Sequence, residues 1–425
     1  MGIFDERESA VRSYCRKWPA VFDRAAGSWL YDENGRAYLD FFSGAGALNY
    51  GHNNPLLKAE LLDYLTADRV VHSLDMYTVA KAGFLTALDE LILRPRNLDY
   101  KVQFPGPAGT IAVEAALKLA RKVTGRTEVA CFTHGFHGMT VGSLAVTGSG
   151  FHRRGAGLPL TNATPLPYDG GEDTDFAWFD QLLGDSGSGL DLPAAAIVEC
   201  VQGEGGINVA SRDWLRGLAD RCRTHGILLI VDDVQMGCGR TGPFFSFEAA
   251  SITPDIVCLS KSIGGYGLPL ALTLLRPGLD IWAPGEHSGT FRGFDPALVT
   301  GTAALRAYWS DGALEKQTEA NGKVVAAALA EIADGMPGVA ARGRGLAHGL
   351  EFDQPGMAER VAAAAFDLSM LLETAGPADQ VVKLMPPLTI SYDELALGLS
   401  LLGQAVTTTA MHGADGARDP VPGIR

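Results

Sequence analysis

Five short runs in the middle of the chain, residues 129–133, 195–201, 227–231, 256–259 and 270–275, are mostly apolar and show no alternation of polar and apolar positions. A strand with one face in water alternates, so runs of this kind belong to strands buried on both faces. Amphipathic stretches separate them. In one, Ser211 can cap a helix whose apolar face is Trp214, Leu215, Leu218, Ala219 and Cys222, with Gly226 to end it. Another extends from about Thr110 to Val123, with Glu114 and Lys118 placed for an i, i+4 pair. Strand, helix, strand in succession implies an α/β fold around a mostly parallel sheet covered by helices.

The two ends of the chain read differently. Residues 21–50 are turn-rich around Asp32, Glu33, Asn34 and Gly35, which suggests a short meander. Residues 312–410 hold two helical patterns around the Gly/Arg-rich segment Arg342, Gly343, Arg344 and Gly345. The expected organisation is a large domain over 51–305 and a small α+β domain built from 1–50 and 306–411. Residues 412–425 lack apolar periodicity and are expected to form a disordered tail.

With 425 residues, 47% hydrophobic and 20% charged, the composition is that of a globular protein. The formal charge of −14 argues against nucleic-acid or anionic-membrane partners, which require a basic face. No run approaches 18 apolar residues, and the charged N-terminus lacks the apolar core of a signal peptide. The six cysteines form no CxxC pair. Reduced cysteines in a cytoplasmic protein, with neither a disulfide framework nor a metal cluster, are therefore expected.

In a doubly wound sheet, ligands sit beyond the carboxyl ends of the strands. Glu199, Asp232, Asp233 and Lys261 all fall at or just after such ends. Lys261 lies between a buried run and a glycine-rich turn, where an ammonium is unusual unless paired or functional. Loss of water would lower its pKa toward that of a nucleophilic amine, although a snorkelling surface lysine is the competing reading. Asp232 precedes it by 29 residues (261 − 232), one βαβ-like step. A carboxylate there could keep a pyridine nitrogen protonated, or it could be a loop acid, a role that suits Asp233 better. Gln235 is placed to meet a phenolic oxygen. Gly109 and Thr110 open a helix and so offer a phosphate site, or merely a cap. Phe136 and His137 follow a strand, where an aromatic face could cover a planar cofactor or simply join the core.

Residues 231–242 (VDDVQMGCGRTG), followed by Ser260 and Lys261, resemble the class III aminotransferases of the fold-type I, pyridoxal 5'-phosphate (PLP)-dependent group. The likeness extends from about residue 20 to about 405. It implies that Lys261 is the Schiff-base lysine, that Asp232 pairs with the ring nitrogen and that Gln235 meets the phenolic oxygen. It further implies that Phe136, beside His137, stacks on the ring and that Gly109 and Thr110 hold the phosphate. Thr290 resembles the residue that reaches the phosphate of a neighbouring subunit, which implies a homodimer with shared active sites and leaves higher oligomers open.

Within the class, residues 41–55 (FFSGAGALNYGHNNP), 72–77 (HSLDMY), 96–107 (RNLDYKVQFPGP) and Glu286–His287 are similar to the diaminobutyrate transaminases of ectoine biosynthesis. That likeness implies exchange of an amino group between L-glutamate and L-aspartate 4-semialdehyde, giving 2-oxoglutarate and L-2,4-diaminobutyrate. Ornithine, putrescine or 4-aminobutyrate as the ω-amine is the rival expectation. Where related enzymes carry a substrate-binding arginine, this chain has Lys383, with Glu204 as its expected gate and Glu199 as a deeper acid. Ala108 and Ile111 depart from the class in lacking polar side chains beside the phosphate site.

Overall fold

The computed structural model describes residues 2–170 and 176–413. Its largest sheet has seven strands, in the order Lys101–Gln103, Leu272–Leu275, Ile256–Leu259, Leu228–Asp232, Ala195–Val198, Val129–Phe132 and Thr164–Leu166. From Ile256–Leu259 to Thr164–Leu166 every pairing is parallel. Leu272–Leu275 is antiparallel to both of its neighbours. An apolar strand buried on both faces has the same residue pattern whichever way it runs, so this reversal leaves no trace in the sequence.

The helices form for the reasons their residues suggest. Helix Arg212–His225 begins where the Ser211 hydroxyl accepts from the Trp214 N–H, and ends at Gly226 with φ 60°. It buries Trp214, Leu215, Leu218 and Cys222, worth roughly 2 kcal/mol for each large apolar side chain. Helix Gly109–Thr124 lays an alanine- and leucine-rich face on the sheet and stops at Gly125, φ 68°. The expected Glu114–Lys118 pair does not form. Glu114 accepts from the Thr140 hydroxyl (2.6 Å) and the Ser143 N–H (3.1 Å), while Lys118 donates to the Glu286 carbonyl (2.9 Å). Partly buried hydrogen bonds to a carboxylate outweigh a solvated ion pair worth a few tenths of a kcal/mol.

The meander is present as Phe22–Ala26, Trp29–Asp32 and Ala37–Asp40, with Met370–Leu371 pairing parallel to the last of these. Near the C-terminus the Gly/Arg-rich segment is strand Val339–Arg344, in a hairpin with Ala347–Phe352. Strands Val381–Leu384 and Glu373–Ala375 complete that sheet. Three helices accompany it where two were expected: Ala313–Asp334, Met357–Asp367 and Tyr392–Gly413. The last runs two residues into the expected tail, whose remainder, 414–425, lies outside the described residues. Among the described residues no helix is long and apolar enough to cross a membrane.

Arg240 ties the layers together. It is fully buried, and its guanidinium donates to the carbonyls of Leu346 (3.0 Å) and Pro386 (2.5 Å) and to Asn49 Oδ1 (2.6 Å). One rigid fork thereby joins three distant segments of chain around the sheet edge that carries Asp232.

Candidate active site

Parallel pairing brings Asp232 level with Cys258 at the carboxyl end of adjacent strands, so Lys261, three residues later, emerges beside it. Lys261 adopts φ 52°, a left-handed conformation that costs a residue with a Cβ of order 1 kcal/mol or more. Its Nζ donates to the carbonyl of Ala45 at 2.9 Å. Ala45 lies in a run of four residues, Ser43 to Gly46, all at positive φ. That strained turn projects its carbonyl into the site, where Gln235 Nε2 also donates to it (2.9 Å). Enclosure lowers the pKa of the Lys261 amine against the opposing pull of Glu204.

Asp232 is fixed on both oxygens. His137 Nδ1 lies 2.7 Å from Oδ2, and the Val234 N–H donates to Oδ1 at 3.1 Å. His137 is buried, which disfavours its charge, but its bond to Asp232 raises its pKa overall. Glu199 stands behind this pair, accepting from the N–H groups of Phe136 (2.9 Å) and Gly203 (3.4 Å). Burial pushes its pKa up to about 7. It has these backbone partners and no bond to Lys383.

Asp233 points away, accepting from the Ser246 N–H at 2.9 Å, and burial pushes its pKa up to about 7 as well. The native state therefore holds a proton on Asp233 that the unfolded chain, titrating near the ordinary 3.8, releases earlier. Stability from this group is present at low pH and declines as pH rises from about 4 to about 7. Asp233→Asn is expected to flatten that decline. Melting temperatures of both proteins between pH 4 and 7 measure it, and parallel curves would refute it.

At the other end of the site Lys383 is almost fully buried, with Nζ 2.7 Å from Glu204 Oε1 and 2.9 Å from Glu373 Oε2. Burial opposes the Lys383 charge, yet the two carboxylates raise its pKa above the ordinary lysine value. Against the effect of its own burial, Lys383 and then Lys261 draw the Glu204 carboxyl well below the usual carboxylate range. Glu204 also accepts from Gln235 Nε2 at 3.0 Å, which links the Lys383 cluster to Lys261 through the shared Ala45 carbonyl.

The residues present fit PLP. Lys261 supplies an enclosed amine and Asp232 an oriented acid. Three glycines let side chains of the site close in on the backbone: a Cβ on Gly109 would lie 2.7 Å from a Val234 methyl, one on Gly138 2.3 Å from Thr110 Oγ1, and one on Gly203 1.6 Å from Gln235 Oε1. No side chain caps the helix starting at Gly109, since Ala108 offers none, and the N–H groups of Gly109 and Thr110 are the ones that could serve a phosphate there. The Thr110 hydroxyl is engaged with Thr140 (2.7 Å) and Ser143 (3.0 Å). Phe136 is half-buried with its ring edge-on to His152.

Thr290 is not brought to this cluster. It is exposed at the start of the helical turn Thr290–Gly293, next to Phe291, which packs edge-on against His72. Sequence reasoning missed Ala45, Glu373 and Tyr14, whose hydroxyl donates to Glu373 Oε1 at 2.9 Å. Only the alternating glycines around Ala45 signalled an unusual backbone there.

The family model Aminotransferase class-III matches residues 12–406. The chain is 61% identical over 409 residues to a diaminobutyrate–2-oxoglutarate transaminase of Nocardia farcinica, covering 96% of this chain and 94% of the relative. It is 61% identical over 416 residues to the protein of that name from Streptomyces avermitilis, covering 96% and 98%. Among solved structures, the ornithine aminotransferase of Toxoplasma gondii superimposes with a TM-score of 0.84 over 96% of this chain and 94% of its own; at 24% identity that likeness concerns the fold alone.

Proposed function

This chain belongs to the PLP-dependent class III aminotransferases, and from that premise we propose that it transfers an amino group between L-glutamate and L-aspartate 4-semialdehyde, yielding 2-oxoglutarate and L-2,4-diaminobutyrate. Chain-long identity to relatives of that name supports the substrate pair. The observation that carries the mechanism is the pairing of Lys383 with Glu204 at 2.7 Å, within one hydrogen-bond network of Lys261.

When bound, the cofactor supplies an electron sink for the carbanion that forms at the reacting carbon. Lys261 would hold it covalently and then move the proton between the two carbons concerned, a task suited to an amine of lowered pKa. Asp232, aimed by His137 and Val234, would keep the ring nitrogen protonated. Gly109 and Thr110 would present backbone N–H groups to the phosphate, and Phe136 would cover one face of the ring. Gln235 would meet the phenolic oxygen.

Glutamate reacts through its α-amine, so its α-carboxylate arrives beside the reacting carbon and takes Lys383 from Glu204. Diaminobutyrate reacts through its terminal amine, whose carbon bears no carboxylate, and Glu204 stays on Lys383. One pocket thereby serves both substrates.

We place this activity in a homodimer in the cytoplasm, in the service of ectoine or another diaminobutyrate-derived product. The dimer is supported by Thr290, which is exposed, and by the open groove lined by Leu56, Tyr64, Val70, Tyr77 and Val79. Tyr77 and Val79 are almost wholly exposed in the single chain, and a second copy seated on this groove would cover them. The six unpaired cysteines suit a reducing compartment.

The test is a substrate panel on purified holoenzyme. With glutamate and aspartate 4-semialdehyde, diaminobutyrate should form with a kcat/KM at least about tenfold above that for ornithine, putrescine or 4-aminobutyrate as donor to 2-oxoglutarate. Equal or better use of one of those amines would overturn the substrate assignment.

A further inference from the structure

Lys383 has one carboxylate more than a two-state gate requires. Glu373 lies directly opposite it on the antiparallel strand Glu373–Ala375, so the two side chains share a face. Glu373 is buried and cannot leave as Glu204 can. Its Oε1 accepts from the Tyr14 hydroxyl at 2.9 Å, while Oε2 lies 2.9 Å from Lys383 Nζ. Tyr14 is itself anchored by stacking on Trp18 and contact with Phe42, and Lys17 ties the same segment to Thr374 at 2.7 Å.

Charge alone does not explain Glu373. Its negative charge repels Glu204 and an incoming substrate carboxylate alike, so the static effect largely cancels when one replaces the other. What does not cancel is the state between them. Without Glu373, once Glu204 had gone and before the substrate was seated, the Lys383 ammonium would be an unpaired charge in an almost fully buried position, among the costliest arrangements in a protein interior. A lysine also carries its point charge on a flexible four-carbon stem, without the planar fork by which an arginine aims itself.

We propose that Glu373 is a positioning residue for carboxylate exchange: it keeps the Lys383 ammonium paired and aimed while Glu204 gives way to the carboxylate of glutamate or 2-oxoglutarate, and Tyr14 fixes it from the N-terminal segment. The inference rests on the gate reading of Lys383 and Glu204 above. It makes Glu373 and Tyr14 determinants of how well the enzyme handles its α-carboxylate partner in preference to its ω-amine partner.

The experiment follows each half-reaction of the holoenzyme by stopped-flow absorbance in single turnovers, with glutamate and, separately, with diaminobutyrate. Glu373→Gln should lower the ratio of the glutamate to the diaminobutyrate kcat/KM about tenfold, since only the first needs the exchange. Tyr14→Phe retains the charge and loses one hydrogen bond, so it should shift the ratio in the same direction by about threefold. It also serves as the test should Glu373→Gln not fold. An unchanged ratio, or an equal fall in both half-reactions, overturns the proposal, because a merely structural role would weaken both alike. If the wild-type enzyme ignores diaminobutyrate yet accepts ornithine, the substrate assignment falls by itself, and the ratio is read with ornithine instead.

Discussion

Lys261→Ala is expected to abolish steady-state turnover, with kcat falling by about 10⁴-fold or more, because covalent attachment and proton transfer are lost in one change. The same variant should lose the yellow absorbance of the holoenzyme while keeping its secondary structure. The fold should survive because Lys261 contributes one hydrogen bond, to the Ala45 carbonyl, and that carbonyl keeps Gln235 as a donor. The strained φ of 52° also remains in the variant, since alanine pays the same cost there as lysine. A small exogenous amine should restore part of the rate, as the missing function is a base at a defined point and not a scaffold. Retention of more than about a hundredth of wild-type kcat would show that another group moves the proton, and the assignment of Lys261 would fail.

Asp232 and Lys261 were legible in the sequence because the strands that carry them are continuous apolar runs, and whatever follows such a run must emerge at the sheet edge. The helix Arg212–His225 was legible to its ends, since Ser211 and Gly226 are local signals read by local rules. The parts that escaped are non-local. The Glu114–Lys118 pairing follows a helical spacing rule that takes no account of Thr140 and Ser143, which reach Glu114 from another segment. The antiparallel course of Leu272–Leu275 is set by its connection and not by its residues. The Ala45 carbonyl is backbone, so residue type cannot announce it. Glu373 meets Lys383 through strand register, ten residues away in sequence (383 − 373), and an acid in an undistinguished stretch carries no mark of that pairing.

Asp232→Asn should lower kcat by about 10²- to 10³-fold, the scale seen when an oriented electrostatic group is removed from a reacting centre. Asparagine nearly matches aspartate in shape, so the loss would report charge and not space. The Val234 N–H can still donate to the amide oxygen, but an amide nitrogen turned toward His137 Nδ1 would set two donors face to face. The buried imidazole would then surrender the bond that raises its pKa, and it would be expected to become neutral and present an acceptor in its place. That response separates two possible origins of the loss. If the negative charge itself sustains the protonated ring nitrogen, His137→Gln, which leaves Asp232 charged but less firmly aimed, should cost far less than Asp232→Asn. If instead the His137–Asp232 couple acts as a unit, the two variants should be equally slow and their combination no slower than either. The geometry favours the first result, because the Val234 N–H holds Asp232 independently of His137. A fall of less than about tenfold in Asp232→Asn would remove Asp232 from the mechanism altogether.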